Sequence, residues 1–322
     1  MNSPSEIIEK ILRGDIAAAA RLIRNLDDGE PGARESLKAL FHHAGRAVTI
    51  GLTGSPGVGK SCLACILIEH LRRRGLSVGV LAVDPSSPLS GGAVLGDRVR
   101  IQRYSQDEGV FIRSLASRGQ FGGLARSVRG ALTVMDAMGR DVIIIETVGV
   151  GQVEIDIARI ADTTVIVLAP GMGDNVQAIK AGILEVGDIF AVNKADCQGA
   201  DQTAREIGAM LQQGLSTVIG ERDWLPPVLK TVSIDGGCGI DELWAAVEAH
   251  RAYLLGSGSQ YCRRLRLFKV KQELVEMVRQ AVVDTVIPRL EASGDLDRYV
   301  ESLLARKEDP HTLCEKILKT FV

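Results

Sequence analysis

The sequence predicts an α/β fold in which a mostly parallel sheet is flanked by helices, with helical extensions at both ends. The first observation is that short apolar runs, typical of buried strands, alternate with segments of helical periodicity. The expected strands occupy residues 47–52, 78–83, 110–112, 142–145, 164–168, 189–192 and 227–231. The second observation is a glycine-rich loop that joins the first strand to a predicted helix at 62–74. Such alternation is typical of βαβ units and therefore of parallel strands.

Helical extensions flank this core on both sides. Ser3 and Pro4 mark the start of the first helix as N-cap and first-turn proline, and the N-terminal extension is expected over 1–45. The α/β domain is expected over 46–255, and a Gly/Ser connector at 256–259 opens a C-terminal helical arm over 256–322. One face of its long helix is apolar, formed by Leu267, Val270, Leu274, Met277 and Ala281. This face should pack on the core or, as we favour, on another subunit.

The composition is that of a cytoplasmic protein. Among 322 residues, 38 Lys and Arg stand against 40 Asp and Glu, so the charge balance gives no reason to expect a nucleic-acid or membrane partner. The N-terminus lacks a signal-peptide pattern, and no run of about 18 apolar residues is present. Six cysteines without a repeated spacing are expected to be reduced thiols.

Residues 54–61 form a complete G-x-x-x-x-G-K-S phosphate loop between strand and helix. Backbone N–H groups of such a loop bind phosphate oxygens, and the helix N-terminus adds partial positive charge. Lys60 should reach the β- and γ-phosphates, and the Ser61 hydroxyl should bind Mg²⁺. The predicted nucleotide-binding residues here are Gly54, Ser55, Gly57, Val58, Gly59, Lys60, Ser61 and Cys62.

The base is predicted by a second motif, N-K-A-D at 193–196, which follows a predicted strand. The Asp196 carboxylate can accept hydrogen bonds from N1–H and the exocyclic amine of guanine, a pair that adenine does not offer. Asn193 and Lys194 complete the motif, and Ser233 and Ile234 follow a predicted last strand, from which a backbone N–H can reach guanine O6. The sequence therefore predicts GTP and GDP as ligands.

Acidic residues at two strand ends are predicted to bind the metal. Asp84 and Asp97 bracket a polar loop rich in Gly, Pro and Ser, and Glu146 begins E-T-V-G where phosphate-loop GTPases commonly place D-x-x-G. Acids beside a nucleotide usually serve Mg²⁺ directly or through water. The expected metal-binding residues are Ser61, Asp84, Asp97 and Glu146.

Hydrolysis without a partner is expected to be slow. Val150 stands where many small GTPases place the glutamine that orients the attacking water. Candidates for that role are Gln152, Glu154 and Asp84, with Lys180 as an additional cation. The alternative for Glu154, a position on the solvent face of a helix, remains open. The predicted catalytic residues are Lys60, Asp84, Glu146, Gln152, Glu154 and Lys180.

Cys62 and Cys65 form a C-x-x-C in the first turn of the phosphate-loop helix. A helix N-terminus lowers the pKa of a thiol, so a redox pair or half of a metal site is one interpretation. Packing of two small apolar residues against the sheet is the interpretation that we favour, because no second pair of ligands accompanies them.

Several longer strings surround these motifs. They are V-D-P-S-S-P at 83–88, S-G-G-A-V-L-G-D-R at 90–98, F-I-R-S-L-A-S-R-G at 111–119, E-T-V-G-V-G-Q at 146–152 and A-P-G-M-G-D-N-V-Q-A-I-K-A-G-I at 169–183. In these strings the chain closely resembles the methylmalonyl-CoA mutase-associated GTPases of the MeaB/ArgK type, which are chaperones of adenosylcobalamin-dependent acyl-CoA mutases. The resemblance covers residues 44–253.

The resemblance implies the signal-recognition and nitrogenase-iron-protein branch of phosphate-loop GTPases, and a homodimer held by the C-terminal helices. It also implies GTP hydrolysis coupled to cofactor delivery, with a mutase, and the adenosyltransferase that supplies its cofactor, as partners. Residues 169–183, including Asp174 and Lys180, match the switch that senses the mutase. Cys62 departs from the family's usual Thr, so a backbone N–H would contact the α-phosphate there, and Val153 replaces a common Ser.

Two other functions remain open at this stage. One is a GTPase that loads nickel or another metal into an enzyme, which would predict a His/Cys-rich tract that this sequence does not show. The other is a phosphotransferase that acts on a transport protein, which an older name attached to the family suggests.

Overall fold

The structure is a computed structural model, and it describes residues 4–84, 101, 103–116, 123–147, 157, 160–171, 186–215, 224–234, 237–256 and 260–321. The helices are α1 (Pro4–Leu12), α2 (Ile16–Asp27), α3 (Pro31–Phe41), α4 (Lys60–Arg73), α5 (Gly123–Ala137), α6 (Ala200–Leu215), α7 (Ile240–Leu255), α8 (Gln260–Ser293), α9 (Asp295–Leu304) and α10 (Pro310–Phe321). The strands are β1 (Val48–Thr53), β2 (Val78–Asp84), β3 (Val110–Ala116), β4 (Val142–Thr147), β5 (Thr163–Leu168), β6 (Ile189–Val192) and β7 (Val228–Lys230).

The seven strands that the structure describes form one sheet in the order β3-β2-β4-β1-β5-β6-β7. Each neighbouring pair is parallel, which confirms the predicted parallel α/β core. The register pairs Leu52 with Glu146 and Ala82 with Glu146, so β1, β2 and β4 end side by side. Because parallel strands share a carboxyl edge, the loops that follow them meet there.

Both faces of the sheet are covered by helices, as its apolar strands require. Val48, Ile50 and Leu52 of β1 face a core that includes residues of α4 and α7. Ile143 and Ile145 of β4 face the opposite core, which includes α5 and the three N-terminal helices. The three N-terminal helices therefore contribute to the core on that face of the sheet.

The chain divides into two compact units, Met1–Arg266 and Leu267–Val322. The second unit consists of most of α8 with α9 and α10. The apolar face predicted for the long helix lies on α8, and its residues Leu267, Val270, Leu274 and Met277 are 63%, 59%, 61% and 59% exposed. None of the helices that the structure describes has both the length and the apolar character needed to cross a bilayer.

Candidate nucleotide-binding site

The phosphate loop joins β1 to α4, as predicted, and its conformation depends on glycine. Gly54 has φ +140°, and a Cβ atom there would lie 2.1 Å from the carbonyl oxygen of Val167 in β5. Gly59 has φ +94°, and a Cβ atom there would lie 2.5 Å from Nδ2 of Asn193. The loop therefore passes too close to β5 and to the loop after β6 for any side chain at these two positions.

Lys60, the first residue of α4, is 6% exposed. Its Nζ donates hydrogen bonds to the backbone carbonyls of Gly54, at 2.5 Å, and Ser55, at 3.1 Å. These contacts hold the ammonium group inside the phosphate loop. A cation at this position can neutralise the phosphate charge that the loop's N–H groups face.

Ser61 and Glu146 come together, as the sequence predicts. The Ser61 hydroxyl donates a hydrogen bond to Oε1 of Glu146, whose side chain lies at the end of β4 and is 3% exposed. Asp84 ends the neighbouring strand β2, although its side chain lies outside the described part of the chain. A hydroxyl beside a buried carboxylate is an oxygen donor set of the kind that Mg²⁺ prefers, so these residues fit the expected metal ion.

The N-K-A-D loop is joined directly to the phosphate loop. The Asn193 amide nitrogen donates to the carbonyl of Val58 at 2.8 Å, and Lys194 Nζ donates to the carbonyl of Gly57 at 2.8 Å. Asn193 is 1% exposed, and its amide oxygen accepts a hydrogen bond from the Ser233 hydroxyl at 2.7 Å. Three loops at the carboxyl edge therefore share one hydrogen-bond network.

The backbone of this loop turns sharply at Lys194, where φ is +56°. A non-glycine residue in the left-handed region is strained, and such strain is typical of functional loops. Asp196 is exposed beyond the turn and lines a cleft of about 880 Å³. Its carboxylate is thus open to a ligand, while Ile234, beyond Ser233, is 54% exposed.

Several predicted residues lie outside the described part of the chain. They are Asp97, Gln152, Glu154, Asp174 and Lys180, so the residue that orients the attacking water stays a prediction. Neither cysteine of the C-x-x-C pair forms a disulfide. Cys65 is 4% exposed and belongs to the core between α4 and the sheet, as the packing interpretation expects, whereas Cys62 is half-buried.

The sequence did not predict how the loops are joined. Asn193 and Lys194 were assigned to the base motif, and their side-chain bonds to the phosphate loop were not anticipated. Thr231 was predicted at the end of the last strand, beside the segment that reaches guanine O6. Its hydroxyl, which is fully buried and donates to the Asn193 amide oxygen at 3.3 Å, was not expected to join this network. The signal that could have indicated this contact is the position of Thr231 and Asn193 after neighbouring strands at the same sheet edge.

Comparison with known proteins agrees with this geometry. The family model described as methylmalonyl Co-A mutase-associated GTPase MeaB matches residues 19–291. A Pyrococcus abyssi protein named as a GTPase is 45% identical over 320 residues, which cover 98% of this chain and 96% of that protein. The GTPase ArgK of Escherichia coli is 34% identical over 313 residues, which cover 95% of this chain and 92% of ArgK.

A solved structure is similar over the same length. The crystal structure of a LAO/AO transport system kinase superposes with a TM-score of 0.71 at 27% identity, and the match covers 100% of this chain and 99% of that one. The phosphate-loop fold and the named relatives support GTP hydrolysis as the activity of this site. On the match over residues 19–291, this chain belongs to the methylmalonyl-CoA mutase-associated GTPase family of the MeaB/ArgK type.

Proposed function

We propose that this GTPase is a chaperone of an adenosylcobalamin-dependent acyl-CoA mutase, methylmalonyl-CoA mutase or a close relative. In this role it gates loading of adenosylcobalamin and protects the mutase. The observation that carries the proposal is the match over residues 19–291 to a family described by its association with methylmalonyl-CoA mutase. GTP hydrolysis regulates the mutase in this proposal and takes no part in its radical chemistry.

The joined loops support a switch of this kind. Asn193 and Lys194 tie the base loop to the phosphate loop, so a bound nucleotide contacts one connected network. A nucleotide can regulate a partner only through a difference in the partner's contacts between the GTP and GDP states. We assign that difference to residues 169–183, with Asp174 and Lys180 facing the mutase.

For hydrolysis, we propose that Ser61 and Glu146 hold Mg²⁺ together with Asp84 and Asp97. The bound ion would supply charge neutralisation at the phosphates. Lys60, buried in the phosphate loop, adds a second positive charge at the same place. Turnover without the mutase is slow, because the Val150 side chain provides no hydrogen bond to the attacking water. The candidates that orient this water in place of the usual glutamine are Gln152, Glu154 and Asp84.

We further propose that the C-terminal arm, 256–322, forms a homodimer. The support is the exposed apolar face of α8, since so large an apolar surface is typical of an interaction site. The adenosyltransferase that supplies the mutase cofactor is a further proposed partner. A cytoplasmic location agrees with the absence of disulfides among the six cysteines, because reduced thiols are typical of that compartment.

The test is GTP turnover by the purified protein, alone and with a panel of adenosylcobalamin-dependent mutases. One mutase should raise the rate by at least about tenfold, as expected when a partner supplies a positioning or charged group. Lys60→Ala should abolish the stimulated rate, and Lys10→Ala, an exposed lysine on α1, should leave it unchanged. A rate that no mutase changes would refute the chaperone role while leaving the GTPase assignment intact.

A second candidate is phosphotransfer to a transport protein. It is favoured by the similarity to a structure named as a LAO/AO transport system kinase. GTP labelled at the γ-phosphate separates the two functions, because a phosphotransferase moves the label to a protein acceptor and a GTPase releases it as free phosphate. We expect free phosphate.

A further inference from the structure

A second cleft, of about 420 Å³, lies at the amino-terminal edge of the sheet, opposite the phosphate loop. Val48 and Val142, the first residues of the paired strands β1 and β4, both line it. Its other walls come from the segment before β1, the end of α5 and the side of α7 that carries Trp244. We call it the basal cleft, and its volume is in the range of small-molecule sites.

Three arginines line the basal cleft and retain unused donors. Arg251 donates from Nη2 to the carbonyl of Arg46 at 3.0 Å, and Arg140 donates from Nη1 to the carbonyl of Glu108 at 3.2 Å. A guanidinium group carries five N–H donors. Within the described part of the chain, no carboxylate forms an ion pair with Arg46, Arg140 or Arg251, so most of these donors remain for a ligand.

Two of the three acids that line the basal cleft accept hydrogen bonds from backbone N–H groups. Asp136 accepts hydrogen bonds from the N–H groups of Gly45, at 2.6 Å, and Arg46, at 3.1 Å. Asp141 accepts from the N–H and the hydroxyl of Ser77 at 2.8 and 2.7 Å. These bonds leave both carboxylates negatively charged, so Asp136 and Asp141, together with Glu248 on α7, are the acids that oppose an anion in the cleft.

Two buried donors of the basal cleft have no acceptor. Arg140 is 8% exposed and Trp244 is 4% exposed, and neither Nε of Arg140 nor Nε1 of Trp244 has a hydrogen-bond partner among the described residues. A buried donor without an acceptor is rare and destabilising. Burial, with a smaller contribution from Arg72, also lowers the pKa of Arg140 below its ordinary value. The negative charge of a bound anion would favour the charged form of the Arg140 guanidinium.

We propose that the basal cleft binds a small organic anion. Its phosphate or carboxylate group accepts hydrogen bonds from Arg46, Arg140 and Arg251, since guanidinium groups match both anions in a forked geometry. Its apolar body lies against Trp244 and the first residues of β1 and β4. The site is separate from the nucleotide site, because the two lie at opposite edges of the sheet.

The test uses the full chain saturated with GDP and Mg²⁺, so that the phosphate loop is occupied. Phenyl phosphate, phenylacetate and neutral benzyl alcohol are titrated by calorimetry. The two anions should bind and benzyl alcohol should not, and the tighter anion identifies the preferred group. Arg251→Gln and Arg46→Gln should each weaken binding about tenfold, the value of one charge-assisted hydrogen bond.

Two further variants sharpen the result. Glu248→Gln should tighten anion binding, because it removes one of the three opposing charges, and Arg21→Gln on the exposed side of α2 should change nothing. The chain has two tryptophans, so in Trp224→Phe the emission of Trp244 alone should respond to the ligand. Unchanged GTP turnover in the arginine variants shows that they fold.

The proposal is overturned if neither anion binds, if benzyl alcohol binds as tightly, or if Arg251→Gln and Arg21→Gln bind the anions equally. An anion that binds without any change in Trp244 emission would also refute it, since the ligand would then lie elsewhere.

Discussion

In the nucleotide site Lys60, Glu146 and Asn193 are buried and hydrogen-bonded, whereas on α8 of the C-terminal arm the apolar side chains lie open to solvent. Lys60, Glu146 and Asn193 are 6%, 3% and 1% exposed, and each has a hydrogen-bond partner within residues 54–61. Leu274 and Met277, by contrast, are 61% and 59% exposed. The side chains of the nucleotide site are held in place by hydrogen bonds within one chain. The apolar face of α8 is a surface that a single chain does not cover.

The difference shows which interactions stabilise the structure of each region. The site is fixed by the sheet, because strands far apart in sequence bring their loops to one edge. The arm is helical through local hydrogen bonds, and its exposed apolar residues gain free energy only when another surface removes them from water. Variants of the arm should therefore change association, and variants of the site should change nucleotide chemistry.

The largest expected effect is on association. Leu274→Glu with Met277→Glu should raise the dimer dissociation constant by at least about 10⁴-fold, because each chain of a symmetric pair loses two apolar side chains of about 1.5–3 kcal/mol each. Light scattering coupled to gel filtration should report the mass of one chain for the variant and of two for the wild type.

The matched control changes charge on the same helix without touching the apolar face. Gln272→Glu lies on an exposed part of α8, on the side opposite the apolar face, and should leave the dimer intact. GTP turnover without a partner should be equal in all three proteins. A double variant that remains dimeric would show that another surface joins the chains.

Lys60→Ala should have the next largest effect. Removing the buried ammonium group from the phosphate loop should lower the rate of GTP hydrolysis by about 10³-fold, the usual loss when one preorganised charge is taken from a transition state. Phosphate release measures the rate, and the variant should stay dimeric. A variant that keeps more than a tenth of the rate would exclude the assigned role of Lys60.

Asn193→Ala tests whether the joined loops matter. It removes the bonds to Val58 and Ser233, each of about 1 kcal/mol or more when buried, so the affinity for GDP should fall by about 50-fold. Ser233→Ala removes one of these bonds and should cost only a few-fold. Equal affinities in Asn193→Ala and the wild type, measured with a fluorescent GDP analogue, would mean that the network does not organise the site.

Much of the fold could be predicted from local pattern. The apolar runs at 142–145 and 189–192 predicted β4 and β6 because both strands are buried on both faces. The pattern at 110–112 predicted only the start of β3, which continues to Ala116. Arg113 and Ser114 interrupt the apolar run there, yet the edge strand continues because Leu81 and Ala82 of β2 pair with them.

The site was predictable in its residue types and less so in its contacts. Gly54, Lys60 and Asn193 belong to sequence motifs whose residue types and spacing predict nucleotide binding. The bond from Asn193 to Val58 spans 135 residues and depends on how β1, β5 and β6 are arranged in the sheet. A local sequence pattern cannot predict a contact between residues so far apart in the sequence. Only the folded structure shows that the N-K-A-D loop is hydrogen-bonded to the phosphate loop.

The smallest expected effect is local to the arm, at Asp309, the residue directly before α10. Its carboxylate accepts hydrogen bonds from the N–H groups of His311 and Thr312 at 2.9 and 3.0 Å. The hydrogen bond from the Thr312 hydroxyl, followed by those N–H groups, lowers the pKa of Asp309 from its ordinary value of 3.8. The folded state thus favours the charged carboxylate. The resulting stabilisation is complete above pH 3.8 and is lost as the pH falls through the lower pKa that Asp309 has in the folded state.

An NMR titration of the Thr312 amide measures this midpoint directly. We expect it below 3.8 in the wild type and absent in Asp309→Asn, which keeps an acceptor at the helix start but does not titrate. Asp309→Ala should fray the first turn of α10 at neutral pH without changing GTP turnover. A titration midpoint at or above pH 3.8 would mean that the Asp309 carboxylate does not cap α10. The helices of the arm would then depend on contacts of their apolar face with another surface more than on capping hydrogen bonds.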